Sequence, residues 1–143
     1  MVVGIGERDF TAPLKWAIDE LYSSGASLFV THCVPERLST ELPYPIDDKV
    51  ERGQTLVDDA VAYARGRGAI VMGEVREGFA GEVLVALSVE VGLLVVGSPR
   101  VRHGLHAPGS SVVTYCIRHA SCPITIVPTG ERHGERARRM DTA

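Results

Sequence analysis

At 143 residues, 45% hydrophobic and 23% charged, the chain is long enough for one domain with a full apolar core. A formal net charge of −3 gives no overall electrostatic pull toward nucleic acid or a membrane surface, and no apolar run approaches the roughly 18 residues a membrane span needs. The three cysteines, Cys33, Cys116 and Cys122, are too few and odd in number for a disulfide framework. The opening Met1-Val2-Val3-Gly4-Ile5 lacks the basic region and long apolar stretch of a signal peptide, so a reduced, cytoplasmic protein is expected.

Residues 2–5 read as a short buried strand and 6–10 as its loop. Thr11 or Asp9 is placed to cap the next helix, and Pro13 fits its first turn. Leu14, Ala17, Ile18, Leu21 and Tyr22 recur at i, i+3, i+4, i+7 and i+8, one apolar helical stripe, with Gly25 as its stop. Residues 27–34 form a second buried strand, and 35–45, with three prolines, a loop. A second helix over about 47–66 starts on Asp47 and Asp48, which its dipole favours, and buries Val57, Ala60, Val61 and Ala64. The third strand, 69–75, turns polar at its end and belongs near a sheet edge. Arg76-Glu77-Gly78-Phe79 reads as a turn. It leads into a third helix over about 80–91 that buries Val83, Leu84, Leu87 and Val91 and ends at Gly92.

Leu93-Leu94-Val95-Val96-Gly97-Ser98 is the run around which the chain is organised. Its consecutive apolar residues suit an interior parallel strand covered on both faces. Gly97 would let the backbone turn just past the strand, at the sheet edge where open α/β folds bind ligands. After a short basic loop, a helix start at Gly109-Ser110-Ser111 would present free N–H groups and the positive end of a dipole, which attract phosphate. That fourth helix is expected to bury Val113, Cys116, Ile117 and Ala120. A fifth strand opens at Cys122-Pro123 and ends at Val127-Pro128, and prolines at both ends favour a sheet edge. Residues 129–143 carry no apolar period and read as a disordered tail, leaving one domain over 1–128. Five strands alternating with four helices argue for an α/β fold: a single-domain parallel sheet with helices on both faces and right-handed crossovers.

The run Arg118-His119-Ala120-Ser121-Cys122-Pro123, leading into an apolar last strand, is typical of one family. Together with Val95-Val96-Gly97-Ser98, Gly109-Ser110-Ser111, Gly4 in the opening strand, Trp16-Ala17 and Thr31-His32, it makes the chain resemble the universal stress proteins over about 1–128. The resemblance implies strand order 3-2-1-4-5 with two helices on each face. It also implies a homodimer formed through the last strand, between Cys122 and Val127. An exposed apolar edge strand is a liability for a monomer, so dimerisation has a physical motive as well.

Nucleotide-binding members of that family carry Gly-x2-Gly-x9-Gly-(Ser/Thr) in this loop and an Asp after the first strand that holds the ribose. Here Arg100 stands in place of the second Gly, the eight residues 101–108 make the loop one residue short, and Gly6 occupies the Asp position; Gly109-Ser110 is kept. A side chain at the second Gly position blocks close approach of backbone to phosphate, whereas Arg100 and Arg102 add charge suited to it. The candidate ligand site implied is therefore Gly97, Ser98, Arg100, Arg102, Gly109, Ser110 and Ser111, with Gly6 at the ribose and Cys33 and Val34 bordering the base. The ligand expected there is ATP with magnesium, or AMP.

Other residues take plainer readings. His103 and His106 have no third ligand at metal spacing and read as solvated loop histidines, so no metal site is expected. His32 and Cys33 are adjacent on a strand and point to opposite faces, which separates a nucleophile from its base. Cys116 and Cys122 read as structural. Arg132, Arg136, Arg138 and Arg139 are diluted by Glu131, Glu135 and Asp141, giving a solvated tail with no nucleic-acid role. Gly78-Phe79-Ala80-Gly81 simply starts the third helix. No general base or metal-binding carboxylate stands beside the loop, which ranks a slow ATPase last and leaves no catalytic residue. Two readings remain open: a domain binding a phosphate-bearing ligand between Gly97 and Ser111, and a family member without nucleotide that acts through dimerisation and protein partners.

Overall fold

A computed structural model describes residues 1–6, 10–36, 46–99 and 110–129. Its elements are β1 (Val2–Gly4), α1 (Thr11–Ser24), β2 (Leu28–Val34), α2 (Ile46–Gly66), β3 (Val71–Glu77), α3 (Ala80–Ser88), β4 (Leu94–Pro99), α4 (Ser110–His119) and β5 (Ile124–Thr129). All strands are parallel, in the order β3-β2-β1-β4-β5. The α/β architecture and strand order are those expected. β1 is the middle of the sheet, and β3 and β5 are its two edges.

Side chains alternating along each strand divide the interior into two cores. Val3, Val30 and Val95, in register across β1, β2 and β4, face α1 and α2, where Leu14, Ala17, Ile18, Val57, Ala60 and Ala64 meet them. Val2, Leu94 and Val96 face the opposite side, against Leu84 of α3 and Val113 and Cys116 of α4. Two helices thus cover each face. Burying one such aliphatic side chain contributes about 1.5–3 kcal/mol, so a three-residue β1 is held by what packs on both sides of it rather than by its length.

Several boundaries differ from expectation. The N-cap of α1 is Phe10, which makes no side-chain cap hydrogen bond, and Thr11 is the first helical residue rather than the cap position; Asp9 and the side chain of Tyr22 lie outside the described residues. Its C-cap is Gly25 at φ 67°, a left-handed position, with its N–H on the Leu21 carbonyl at 2.9 Å. Arg76 and Glu77 are strand, not turn, because β3 continues its pairing with Cys33 and Val34. α3 stops at Ser88, where the hydroxyl bonds back to the Val85 carbonyl and accepts the Ser121 N–H; Leu84 is buried while Val83, Leu87 and Val91 are half-buried. β5 reaches Thr129, opposite Pro99, and residues 130–143 lie outside the described residues.

Two corrections bear on function. Gly97 makes no turn: β4 runs on to Pro99. A Cβ at Gly97 would sit 2.7 Å from Thr129 Cγ2 and 3.5 Å from Pro13 Cγ, so the residue is small because β5 and α1 crowd it. Ile117 is not buried but 60% exposed. The buried stripe of α4 is centred between Cys116 and Ala120 and includes Val112; at about 100° per residue Ile117 falls about 80° from that centre. Tyr115, on the other flank, touches α3 through Phe79, so Ile117 faces away from α3, toward the β5 edge.

Candidate functional site

Parallel strands all end on one side, and there the chain collects its polar and irregular residues. The end of β1 is tied to β2 by His32, whose Nδ1–H donates to the Ile5 carbonyl at 2.8 Å. The Ile5 N–H bonds in turn to the Thr31 carbonyl at 2.9 Å. Gly6 follows, exposed, and a Cβ built on it meets no described residue within 4 Å.

Beyond β2 a groove of about 450 Å³ opens. Cys33, Val34, Glu36, Phe79, Ala80 and Glu82 line it, although the buried Val34 side chain turns to the other face, its Cγ1 3.4 Å from a Cβ built on Gly53 of α2. Its floor is closed by the Gly78 N–H on the Val34 carbonyl at 2.8 Å. Phe79 is the N-cap of α3, in extended conformation, where Ser, Thr or Asp is usual. Its ring meets Tyr115 edge-on at 5.5 Å between centroids, over Gly81, where a Cβ would come within 2.7 Å of Phe79 and 2.9 Å of Tyr115. The ring is thereby held in place while remaining 42% exposed.

Burial pushes the Cys33 thiol up to about 11; Arg76, its partner in register, pulls down and Glu74 pushes up by smaller amounts, and the guanidinium is ion-paired with Glu74. Burial likewise raises Cys116 and Cys122. All three are free thiols with no thiolate activation. His32 and Cys33 face opposite sides of the sheet: the Cδ2 of His32 lies 3.0 Å from a Cβ built on Gly53 of α2, whereas Cys33 opens on the groove beside α3. Among the described residues no group of three or more His, Cys, Asp or Glu side chains could hold a metal ion, and no helix is long and apolar enough to cross a membrane.

Of the sequence-derived site residues, Cys33 and Val34 lie together in the groove. Gly97 and Ser98 sit half-buried on β4, Gly6 follows β1, and Ser110 and Ser111 open α4, whose start the topology puts on the same edge. Arg100, Arg102 and Gly109 lie outside the described residues, as do His103 and His106. Phe79, Glu36 and Glu82 also line the groove and are not among the residues expected from the sequence. A bulky aromatic between small residues at a helix start, in Gly78-Phe79-Ala80-Gly81, was the available signal.

A doubly wound parallel sheet with its polar crevice at the strand carboxyl ends defines the class: an α/β domain of the kind that takes ligands at that edge. The sequence pattern of the universal stress protein family matches residues 1–128, and the chain belongs to that family. The fold is that of a universal stress protein from Archaeoglobus fulgidus, at 19% identity and TM-score 0.74, covering 88% of this chain and 96% of that one. A structure of the Archaeoglobus fulgidus protein in complex with dAMP is similar at 20% identity and TM-score 0.69, with 88% and 94% covered. A family protein from Arabidopsis thaliana with AMP bound is similar at 18% identity and TM-score 0.60, with 94% and 93% covered. Among curated protein sequences no match is found.

Proposed function

We propose that this chain is a nucleotide-binding module of the stress response rather than an enzyme. Its ligand is a mononucleotide, AMP or ATP with magnesium, lying across the carboxyl edge of the sheet. The base enters the groove at Cys33 and Val34, and the phosphate lies toward Ser98, Ser110 and Ser111 at the start of α4, with Gly109, Arg100 and Arg102 the loop residues expected to complete its site. The observation that carries this reading is the groove itself, bordered by the two residues picked out for the base. The nucleotides bound by the Archaeoglobus and Arabidopsis proteins support it. Gly6 leaves the ribose without a carboxylate, and Arg100 supplies charge where close backbone approach is lost. A protonated Cys33 fits a contact role, not nucleophilic chemistry. Three free cysteines fit a reducing, cytoplasmic setting. Calorimetry with AMP and ATP tests the reading: micromolar binding weakened by Arg100→Ala and Ser110→Ala is expected, and no heat from folded protein overturns it.

A homodimer through the outer edge of β5, between Cys122 and Val127, is the second element of the proposal, and one observation favours it. Ile126 is 41% exposed and shares the sheet face of its register partner Val96, the face that α4 covers. Ile117 is turned toward that same side. An unpaired strand edge with two exposed isoleucines beside it suits a self-complementary contact. Should nucleotide not bind, this surface would still serve partner contacts.

A further inference from the structure

The sheet has a second edge, β3, on the side opposite β5. Its two ends fix which way its backbone faces. The Leu28 N–H bonds to the Ile70 carbonyl at 2.9 Å, and the Gly78 N–H bonds to the Val34 carbonyl at 2.8 Å. Residues 70, 72, 74, 76 and 78 therefore turn their backbone groups toward β2, while Val71, Gly73, Val75 and Glu77 turn theirs outward. The Val71 carbonyl agrees, since it accepts from the Arg65 guanidinium at 3.5 Å. Gly73, Val75 and Glu77 have no backbone partner on their outer side among the described residues. Gly73 is exposed and carries no side chain because α2 fills the space: a Cβ there would come within 2.6 Å of Val57 and 2.8 Å of Val61. Beside it Met72 is 67% exposed. Such an edge is a template for another strand.

Charged side chains on an edge strand usually block that pairing. Here their order selects one form of it. Two copies related by a two-fold axis pair antiparallel, and each register puts a different residue on the axis. With Glu74 or Arg76 on the axis, a charge faces its own copy. With Gly73 there, the pairing needs the Val71 carbonyl that Arg65 holds, and sets Glu74 opposite Met72. With Val75 there, Glu74 of each copy lies opposite Arg76 of the other, at the non-hydrogen-bonded positions where side chains come closest. These two side chains already form an ion pair within the strand, and the register gives each a second partner. The outward backbone groups fit the same register: Val75 exchanges bonds with Val75, and Gly73 with Glu77, about six in all. Met72 falls opposite Gly78, which has no side chain to obstruct it.

We propose that the β3 edge is a self-association surface, at which a second copy of this chain pairs antiparallel about a two-fold axis through Val75. It lies across the sheet from β5 and stands whether or not that edge pairs or a nucleotide binds. One strand edge buries little area, which puts the contact in the weak, transient class, populated at about 0.1 mM rather than at micromolar concentration. Where both edges pair, the two contacts do not close on each other, and copies join edge to edge into assemblies longer than a dimer.

Sedimentation velocity on the full chain tests this, in the Ile117→Lys background so that the β5 edge adds no dimer. The readout is the association gained between about 10 µM and about 0.3 mM, the range of a weak interface. The native β3 edge gains a dimer over that range. Glu74→Arg and Arg76→Glu, each alone, weaken the gain by about tenfold, because each puts two like-charge pairs across the axis. Both keep the parent's far-ultraviolet circular dichroism, so the loss is not one of folding. Mixed in equal amounts, the two variants associate again, since two positive charges of one chain then face two negative charges of the other. An ion pair serving only to stabilise its own strand cannot produce that recovery. No association gained with the native edge, a gain indifferent to both reversals, or no recovery on mixing overturns the proposal, and none of these results bears on the nucleotide reading.

Discussion

His32 holds the middle of the site in place, and its removal has a calculable effect. The ring lies between the end of β1 and α2. Its Nδ1–H satisfies the carbonyl of Ile5 at 2.8 Å, and its Cδ2 comes within 3.0 Å of the space above Gly53. His32→Ala strands a buried carbonyl, which costs about 1–3 kcal/mol. It also opens a void where the ring packed, for a total of about 2–4 kcal/mol. Gly53 lies inside α2, so Gly53→Ala gains about 0.5–1 kcal/mol of helix propensity, but in the native chain the added methyl presses on the imidazole. In the His32→Ala background that conflict is gone. The double variant is therefore more stable than the sum of the single changes by about 1 kcal/mol. Urea unfolding followed by far-ultraviolet circular dichroism measures all four corners of the cycle. A His32→Ala loss below about 1 kcal/mol, or strict additivity with Gly53→Ala, would refute this account of how β1 is fixed to β2.

Three further outcomes are expected. Thr31 is 1% exposed and its Oγ1 has no hydrogen-bond partner among the described residues, so Thr31→Val, which keeps the shape and removes the hydroxyl, should raise stability by about 1 kcal/mol and Tm by about 2–4 °C; a loss of that size would mean the hydroxyl is bonded after all. With its pKa near 11 against an ordinary 9.0, Cys33 at pH 8 carries about 100-fold less thiolate than a free cysteine. Peptide mapping after iodoacetamide should show correspondingly slow labelling that accelerates up to about pH 11, and labelling at the rate of a free thiol would contradict the burial. Because the folded pKa lies above the unfolded one, the contribution of Cys33 to stability is complete below about pH 9 and is lost as pH rises toward 11. If the proposed dimer forms in sedimentation, Ile117→Lys should convert it to monomer while changing the monomer's stability by less than about 0.5 kcal/mol, whereas an unchanged dimer would place the contact elsewhere.

How far the sequence announces the molecule depends on what each residue answers to. Leu94-Val95-Val96 reads as a strand buried on both faces because consecutive side chains must enter both cores, and the structure divides them in that way. The stripe Leu14, Ala17, Ile18 and Leu21 is equally plain, since one helix face alone is covered. The end of α3 is not plain. Val89 and Val91 continue an apolar pattern, but the turn at Ser88 is set by its bond to Ser121, 33 residues away. Ile117 obeys the period of its helix and is misread because the flank it occupies has no neighbour within the described chain. Gly97 signals a turn by type and serves as a gap for Thr129 and Pro13, a contact that no local pattern encodes. In the candidate groove, Cys33 and Val34 are expected from family likeness alone. Phe79, Glu36 and Glu82 come together only because β3 pairs with β2 and returns α3 to the same edge.

The central claim is that a mononucleotide lies across the carboxyl edge, from the Cys33 groove to the start of α4. A titration of the isotopically labelled chain with AMP, followed by amide chemical shifts, tests it most directly. The account predicts saturable shifts clustered at Gly6, Cys33, Val34, Glu36, Phe79, Gly97, Ser98, Ser110 and Ser111, with the amino-edge residues Ser27, Gly68 and Ser121 unmoved. Shifts centred on the β5 edge or on the amino edge, or a spectrum unchanged at millimolar AMP, would contradict it.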